Sequence, residues 1–120
     1  MKSRWIAHSG KRIFYIDLSG FGSDADGLKT ELDEVSAITC GHLVNSLLVL
    51  TDVRDTVLSS EAVSIGKESS AQTTKHVRKT AVIGISGFRK VLIDAVSRFS
   101  GQRFALFDDV GGAKDWLVSG

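Results

Sequence analysis

Ser46-Leu47-Leu48-Val49-Leu50-Thr51 narrows what this chain can fold into more than any other segment. Four consecutive aliphatic residues show no polar alternation, so a strand built from them must be covered on both faces. A second run of this kind, Thr80-Ala81-Val82-Ile83-Gly84-Ile85, follows a polar loop from Asp52 to Thr56 and a helical stretch from about Leu58 to Ser70. The apolar positions of that stretch, Leu58, Ala62, Val63 and Ile65, form a weak stripe, and Ala62, Gly66 and Ser69 are small enough for close packing on a neighbour. Two buried strands joined by a helix make a crossover unit of parallel sheet. A third short run, Arg103-Phe104-Ala105-Leu106-Phe107, comes after the clearest amphipathic pattern in the chain. There Phe88, Val91, Leu92, Ala95, Val96 and Phe99 share one helical face, and Gly101 closes the helix.

The flanking segments complete the pattern. Trp5-Ile6-Ala7 and Ile13-Phe14-Tyr15-Ile16 read as a hairpin turned by Ser9-Gly10-Lys11. A loop from Asp17 to Gly22 leads to a helix capped by Ser23 or Asp24, with an apolar stripe of Leu28, Leu32, Val35 and Ile38 and with Gly41 placed to end it. Asp108 or Asp109 caps a last helix through Ala113, Trp116 and Leu117. The order is β-β-α-β-α-β-α-β-α. It predicts an α/β fold with a mixed, mostly parallel sheet of four or five strands and helices packed on it. The first strand, joined by a tight turn, lies antiparallel at or near an edge. At 120 residues, positions 1–120 are expected to form one domain.

Composition sets limits on function. Hydrophobic residues make up 42% and charged residues 24%, which excludes an intrinsically disordered chain. A formal net charge of +1 gives no bulk reason to bind nucleic acid or an anionic membrane. Cys40 is the one cysteine, so neither an internal disulfide nor a several-thiolate metal site can form. No apolar run reaches the ~18–20 residues of a membrane span, and no signal-peptide core follows the charged start, so a cytoplasmic location is expected. His8, His42 and His76 fall in no metal-ligand pair, and no cofactor is expected. Gly84-Ile85-Ser86-Gly87 differs from the nucleophile elbow because its second glycine comes one residue early.

Several stretches of the chain resemble the small single-domain SpoIIAA-like proteins, also described as STAS/SEC14-like. They are Arg12 to Asp17, Ser46 to Val53, Lys79 to Gly87, and Phe107-Asp108-Asp109 with Ala113 to Leu117. The resemblance implies a four- or five-stranded sheet covered by helices, and a regulatory or ligand-sensing role more than catalysis. Anti-sigma-factor antagonists of similar topology carry a phosphorylatable serine at the start of the helix after the central strand. The matching stretch here is Asp52 to Ser60, with Glu61 where those proteins have a glycine. Asp52, Arg54, Asp55, Ser59 and Ser60 are therefore the candidate partner-binding or switch residues. The plainer reading is that Ser59 or Ser60 is an ordinary helix cap, which is what serines near helix starts usually are.

Ser86, Gly87, Arg89 and Lys90 form a candidate anion or ligand site, because the start of a helix offers free N–H groups. Lys75-His76-Val77-Arg78-Lys79 is the densest basic cluster, suited to an acidic partner or a lipid phosphate, and it lacks the interleaved aromatics of a nucleic-acid site. Asp17, Asp52 and Asp108 follow three different strands and could meet at one sheet end, either around a divalent cation or as turn and cap residues. Trp5, Phe14, Tyr15, Phe88, Phe99, Phe104, Phe107 and Trp116 read mostly as core, and a subset could line an apolar pocket between sheet and helices. The expectation is a non-enzymatic regulatory or protein-interaction module with a protein partner. The alternative is a carrier or sensor of a small amphipathic or anionic ligand. A homodimer is compatible with either.

Overall fold

The computed structural model describes residues 1–85 and 104–119, excluding the Phe104 side chain. Five strands form one sheet in the order β1-β2-β3-β4-β5. They are β1 (Arg4–His8), β2 (Lys11–Asp17), β3 (Leu47–Asp52), β4 (Val77–Ile83) and β5 (Phe104–Phe107). β1 runs antiparallel to β2, and every later pair is parallel. The hairpin closes through Ser9 and Gly10, whose φ values of 50° and 79° suit the twist of the strands. The three aliphatic runs thus lie side by side in one direction, as their lack of alternation requires.

Three helices accompany the sheet among the described residues: α1 (Ala25–Thr39), α2 (Ser60–Thr73) and α3 (Val110–Val118). The expected helix from Phe88 to Phe99 lies outside the described residues. Alternation along the strands sorts the core into two layers. Phe14, Ile16, Val49 and Val82 pack with Leu28, Leu32 and Val35 of α1 and Ala62 of α2. Ile13, Tyr15, Leu48, Leu50, Ala81 and Ile83 face the other way and pack with Ala113 and Leu117 of α3. Both faces of β2, β3 and β4 are therefore covered.

Some boundaries differ from the sequence expectation. β4 begins at Val77, not Thr80: Leu47 pairs with Val77 and Leu48 with Lys79, which leaves Arg78 unpaired in a bulge. The charged residues hid this strand start. Gly41 does not adopt the left-handed conformation expected of a helix-ending glycine; α1 ends at Thr39 with Cys40 as its right-handed C-cap, and the positive φ of 56° in this connection falls at Asn45, in the turn before β3. α3 is held at its last turn by lysines. Lys79 Nζ donates to the carbonyls of Trp116 and Ser119, and Lys11 Nζ to that of Val118, placing positive charge where the helix dipole is negative. The N-terminus is anchored by buried Glu31 of α1, which accepts from the backbone N–H of Lys2 and Ser3 and from the Ser3 hydroxyl.

Candidate functional site

The carboxyl ends of the parallel strands form one edge, and register brings Asp17, Asp52 and Ile83 level there. Asp52 is 2% exposed. Burial alone would raise its pKa, but Arg54 and Tyr15 more than reverse that. The carboxylate accepts from Arg54 Nε at 3.0 Å, Arg54 Nη2 at 2.7 Å, the Arg54 backbone N–H at 3.0 Å and the Tyr15 hydroxyl at 2.6 Å. A carboxylate offers about four acceptor positions. All are occupied, so Asp52 has no lone pair left for a metal or a substrate proton. Tyr15 is affected in the opposite sense: burial, then the hydrogen bond to Asp52 and its charge, push the phenol up to about 12.

Asp17 forms a separate cluster. Burial opposes its ionisation, while Ser19, Arg4 and Lys2 favour it and hold its pKa below the usual value. Arg4 Nη1 lies 3.1 Å from it and Lys2 Nζ 3.7 Å. Asp108 is exposed beyond β5. Among the described residues no group of three His, Cys, Asp or Glu side chains is arranged to hold a metal. The three carboxylates thus share an edge without sharing a ligand position.

The loop after β3 is tied down over its length. Val53 N–H donates to the Ile83 carbonyl, Gly20 N–H to that of Arg54, and Gly22 N–H to that of Asp55. Asp55 is exposed and has a φ of 58°. The buried Thr56 hydroxyl donates to the Leu18 carbonyl and accepts from Phe21 N–H. Ser59 is the N-cap of α2, its Oγ accepting from Ala62 N–H at 3.1 Å. Ser60 is the first helical residue, and both serines are exposed. Ser86, Gly87, Arg89 and Lys90 lie outside the described residues.

A cavity of about 110 Å³ separates α1 and α2 from the sheet. Ile16, Leu32, Val49, Val63 and Val82 are among its walls, and Gly66, Ser69 and Thr73 line the α2 side. The weak stripe of α2 explains it: small side chains on that helix cannot fill the space above β3 and β4. None of the described aromatic side chains lines it. Trp5 stacks on Phe14 at 4.7 Å and Phe107 packs against Trp116 at 5.6 Å, so the rings are used in the two cores. Of the cavity's wall hydroxyls, those of Thr56, Ser69 and Thr73 are hydrogen-bonded within the protein.

The histidines are dispersed. His8 meets Asp115 at 2.8 Å, His42 Nδ1 the Ile38 carbonyl at 3.0 Å, and His76 Nδ1 the His42 carbonyl at 2.8 Å. Cys40 is exposed at the end of α1. Among the described residues no helix is long and apolar enough to cross a membrane.

No protein-family model matches the chain, and no curated protein matches it. Among solved structures it is similar to an uncharacterized protein of the DUF3478 family with a SpoIIAA-like fold from Shewanella loihica PV-4. The identity is 17%, the match covers 96% of this chain and 91% of that one, and the TM-score is 0.69. The chain therefore has a SpoIIAA-like fold, in agreement with the resemblance read from its sequence.

Proposed function

We propose that this SpoIIAA-like domain is a non-enzymatic regulatory module that responds to a small apolar ligand, or to the tail of a small amphipathic one, bound between α1, α2 and the sheet. The cavity carries the reading. At about 110 Å³ it is smaller than the ~300–1,000 Å³ of drug-sized pockets and nearer the ~150 Å³ apolar cavity that takes up benzene. Its walls are mostly aliphatic, so a bound molecule is selected chiefly by shape and apolarity, with any polar head left at the mouth. Of α2, only Ala62 and Thr73 are fully buried. A ligand filling the cavity adds apolar contact to that helix and holds it to the sheet, a differential affinity of the kind a ligand-driven shift requires. The saturated hydrogen bonding of Asp52 supports the non-enzymatic part.

Gly66 provides the test, because a Cβ built there meets nothing within 4 Å. Gly66→Leu should stabilise the fold by about 1 kcal/mol through helix propensity alone while filling the cavity. Thermal melts with butanoate, hexanoate and octanoate should show a chain-length-dependent rise for the natural chain and none for Gly66→Leu. Equal responses from both proteins, or none from either, would rule the cavity out as a binding site.

The exposure of Ser59 and Ser60 favours a second reading, in which a protein partner docks at the carboxyl edge beside Asp52, Arg54 and Asp55. Aspartate is as good an N-cap as serine. Ser59→Asp should therefore melt within ~0.5 kcal/mol of the natural chain, and Ser59→Ala should lose ~1 kcal/mol. Partner capture from the native host, compared between the natural chain and Ser59→Asp/Ser60→Asp, then reads charge at this position without a folding defect. Unchanged partners and affinities would remove the switch.

A further inference from the structure

Charge is unevenly distributed along the strand direction. Asp17, Asp52 and Asp108 lie at the carboxyl edge of the sheet, with the N-caps Asp24 and Asp109 of α1 and α3; Lys2 and Arg4 pair with Asp17 there and Arg54 with Asp52, which leaves Asp24, Asp108 and Asp109 without an ion-pair partner among the described residues. Lys11, Arg12 and Arg78 lie at the amino edge, beside Lys75 in the turn before β4. The net charge of +1 conceals this separation.

The amino edge also carries the most exposed aliphatic residues of the described chain. Leu43 is 82% and Val44 66% exposed, in the loop between α1 and β3. They are held out by a fixed turn. Ser46 Oγ donates to the Leu43 carbonyl at 2.7 Å, and Asn45 adopts a positive φ. The turn is bonded to the basic segment itself: Asn45 N–H donates to the Lys75 carbonyl at 2.8 Å, Ser46 N–H to the His76 carbonyl at 3.1 Å, and His76 Nδ1 meets the His42 carbonyl. On the other side Arg12 covers the Trp5 ring at 4.4 Å, and Trp5 packs on His42 at 5.2 Å. Lys75 and Arg78 are exposed, with no ion-pair partner among the described residues.

We propose that this edge docks on an anionic lipid surface, with Leu43 and Val44 entering the headgroup layer and Lys75, Arg78 and Arg12 meeting lipid phosphates. Two adjacent protruding aliphatics beside exposed cations suit a deformable, charged interface. A specific protein interface needs on the order of 1,000 Å² or more of complementary surface, and a two-residue tip offers far less. The attachment is weak and reversible, since two aliphatic side chains and a few cations supply it. It is independent of whether the cavity holds a ligand.

Co-sedimentation of the full chain with large vesicles tests the assignment. Vesicles of equal parts phosphatidylcholine and phosphatidylglycerol should retain the protein, phosphatidylcholine alone should not, and added salt should release it. Each cation removed should weaken binding about fivefold, so Lys75→Glu/Arg78→Glu should lose more than tenfold. Leu43→Ser/Val44→Ser should also release the protein, with an unchanged thermal melt because both positions are solvent-exposed. Failure to bind the phosphatidylglycerol vesicles would overturn the proposal. So would binding by either double variant as strong as that of the natural chain, or a homodimer in free solution that Leu43→Ser/Val44→Ser converts to monomer.

Discussion

Asp52→Ala should destabilise the fold by roughly 3 kcal/mol, because it strands a buried donor and a part-buried one at once. The Tyr15 hydroxyl and the Arg54 backbone N–H both lose their acceptor. The Arg54 guanidinium contributes less, since its side chain is 56% exposed and can return to water. The loss should therefore be shared with Tyr15 more than with Arg54. In a double-mutant cycle, Asp52→Ala/Tyr15→Phe should cost about 1–2 kcal/mol less than the sum of the single changes, because the orphaned hydroxyl is gone. Additive losses by urea denaturation would show that the phenol finds another partner.

The same cluster has a pH signature with a definite sign. Asp52 titrates below its ordinary value in the folded chain. Its contribution is present above the unfolded pKa of ~3.9 and is lost as the pH falls through the lower folded value. Asp17 and Glu31 act in the same direction, each held down by hydrogen bonds that outweigh burial. Tyr15 acts at the other end. Its folded pKa of about 12 lies above the ordinary 10.0, so its contribution is complete below pH ~10 and is lost as the pH rises towards the folded value, about 2–3 kcal/mol in all. Tyr15 is the single tyrosine. Phenolate absorbance therefore reports it alone, and Asp52→Ala should move that titration back towards 10 by removing the hydrogen bond and the charge. An unmoved titration would mean that burial is the whole cause.

How much of this could be read from residue order depends on the range of the interaction. The aliphatic runs at Leu47–Leu50 and Val82–Ile83 specify buried strands by themselves, because any other placement leaves one face in water. Asp24, Ser59 and Asp109 are identifiable as caps because capping is local. Tyr15 as the partner of Asp52 was not legible. The two residues are 37 apart in sequence, and only the pairing of β2 with β3, together with its register, sets them on the same face. The cavity was legible only in part. The small residues of α2 were visible, but how far they leave the sheet uncovered depends on the placement of α1. The bulge at Arg78 interrupted the very pattern from which a strand is recognised, so the start of β4 was hidden and its basic residues read as loop.

Gly84 was read as part of a strand, and its replacement carries the other large effect. Gly84→Ala should cost about 3 kcal/mol or more. Its φ of +96° is a conformation L side chains rarely adopt, which costs ~1–2 kcal/mol before any contact is counted. An added Cβ would also stand 2.7 Å from Arg54 N, 2.7 Å from Arg54 Cγ and 3.0 Å from Arg54 Cα. A flexible side chain would swing away, but two of these three atoms are backbone. That backbone is fixed on both sides, by Val53 N–H on the Ile83 carbonyl and by Gly20 N–H on the Arg54 carbonyl, and Arg54 N–H is itself bonded to Asp52. Relief must come from displacing the loop, which pulls Arg54 from Asp52 and loosens the carboxyl edge. Two measurements separate this from a side-chain clash. Gly84→Ala/Arg54→Ala should recover only a minor part of the lost stability, because removing Cγ leaves the contacts to N and Cα. The variant should also show a smaller loss of stability on acidification below pH ~4, since an Asp52 that has lost Arg54 is no longer held as far below its unfolded value. Full recovery in the double variant would place the conflict in the arginine side chain and relieve the backbone of the role assigned to it.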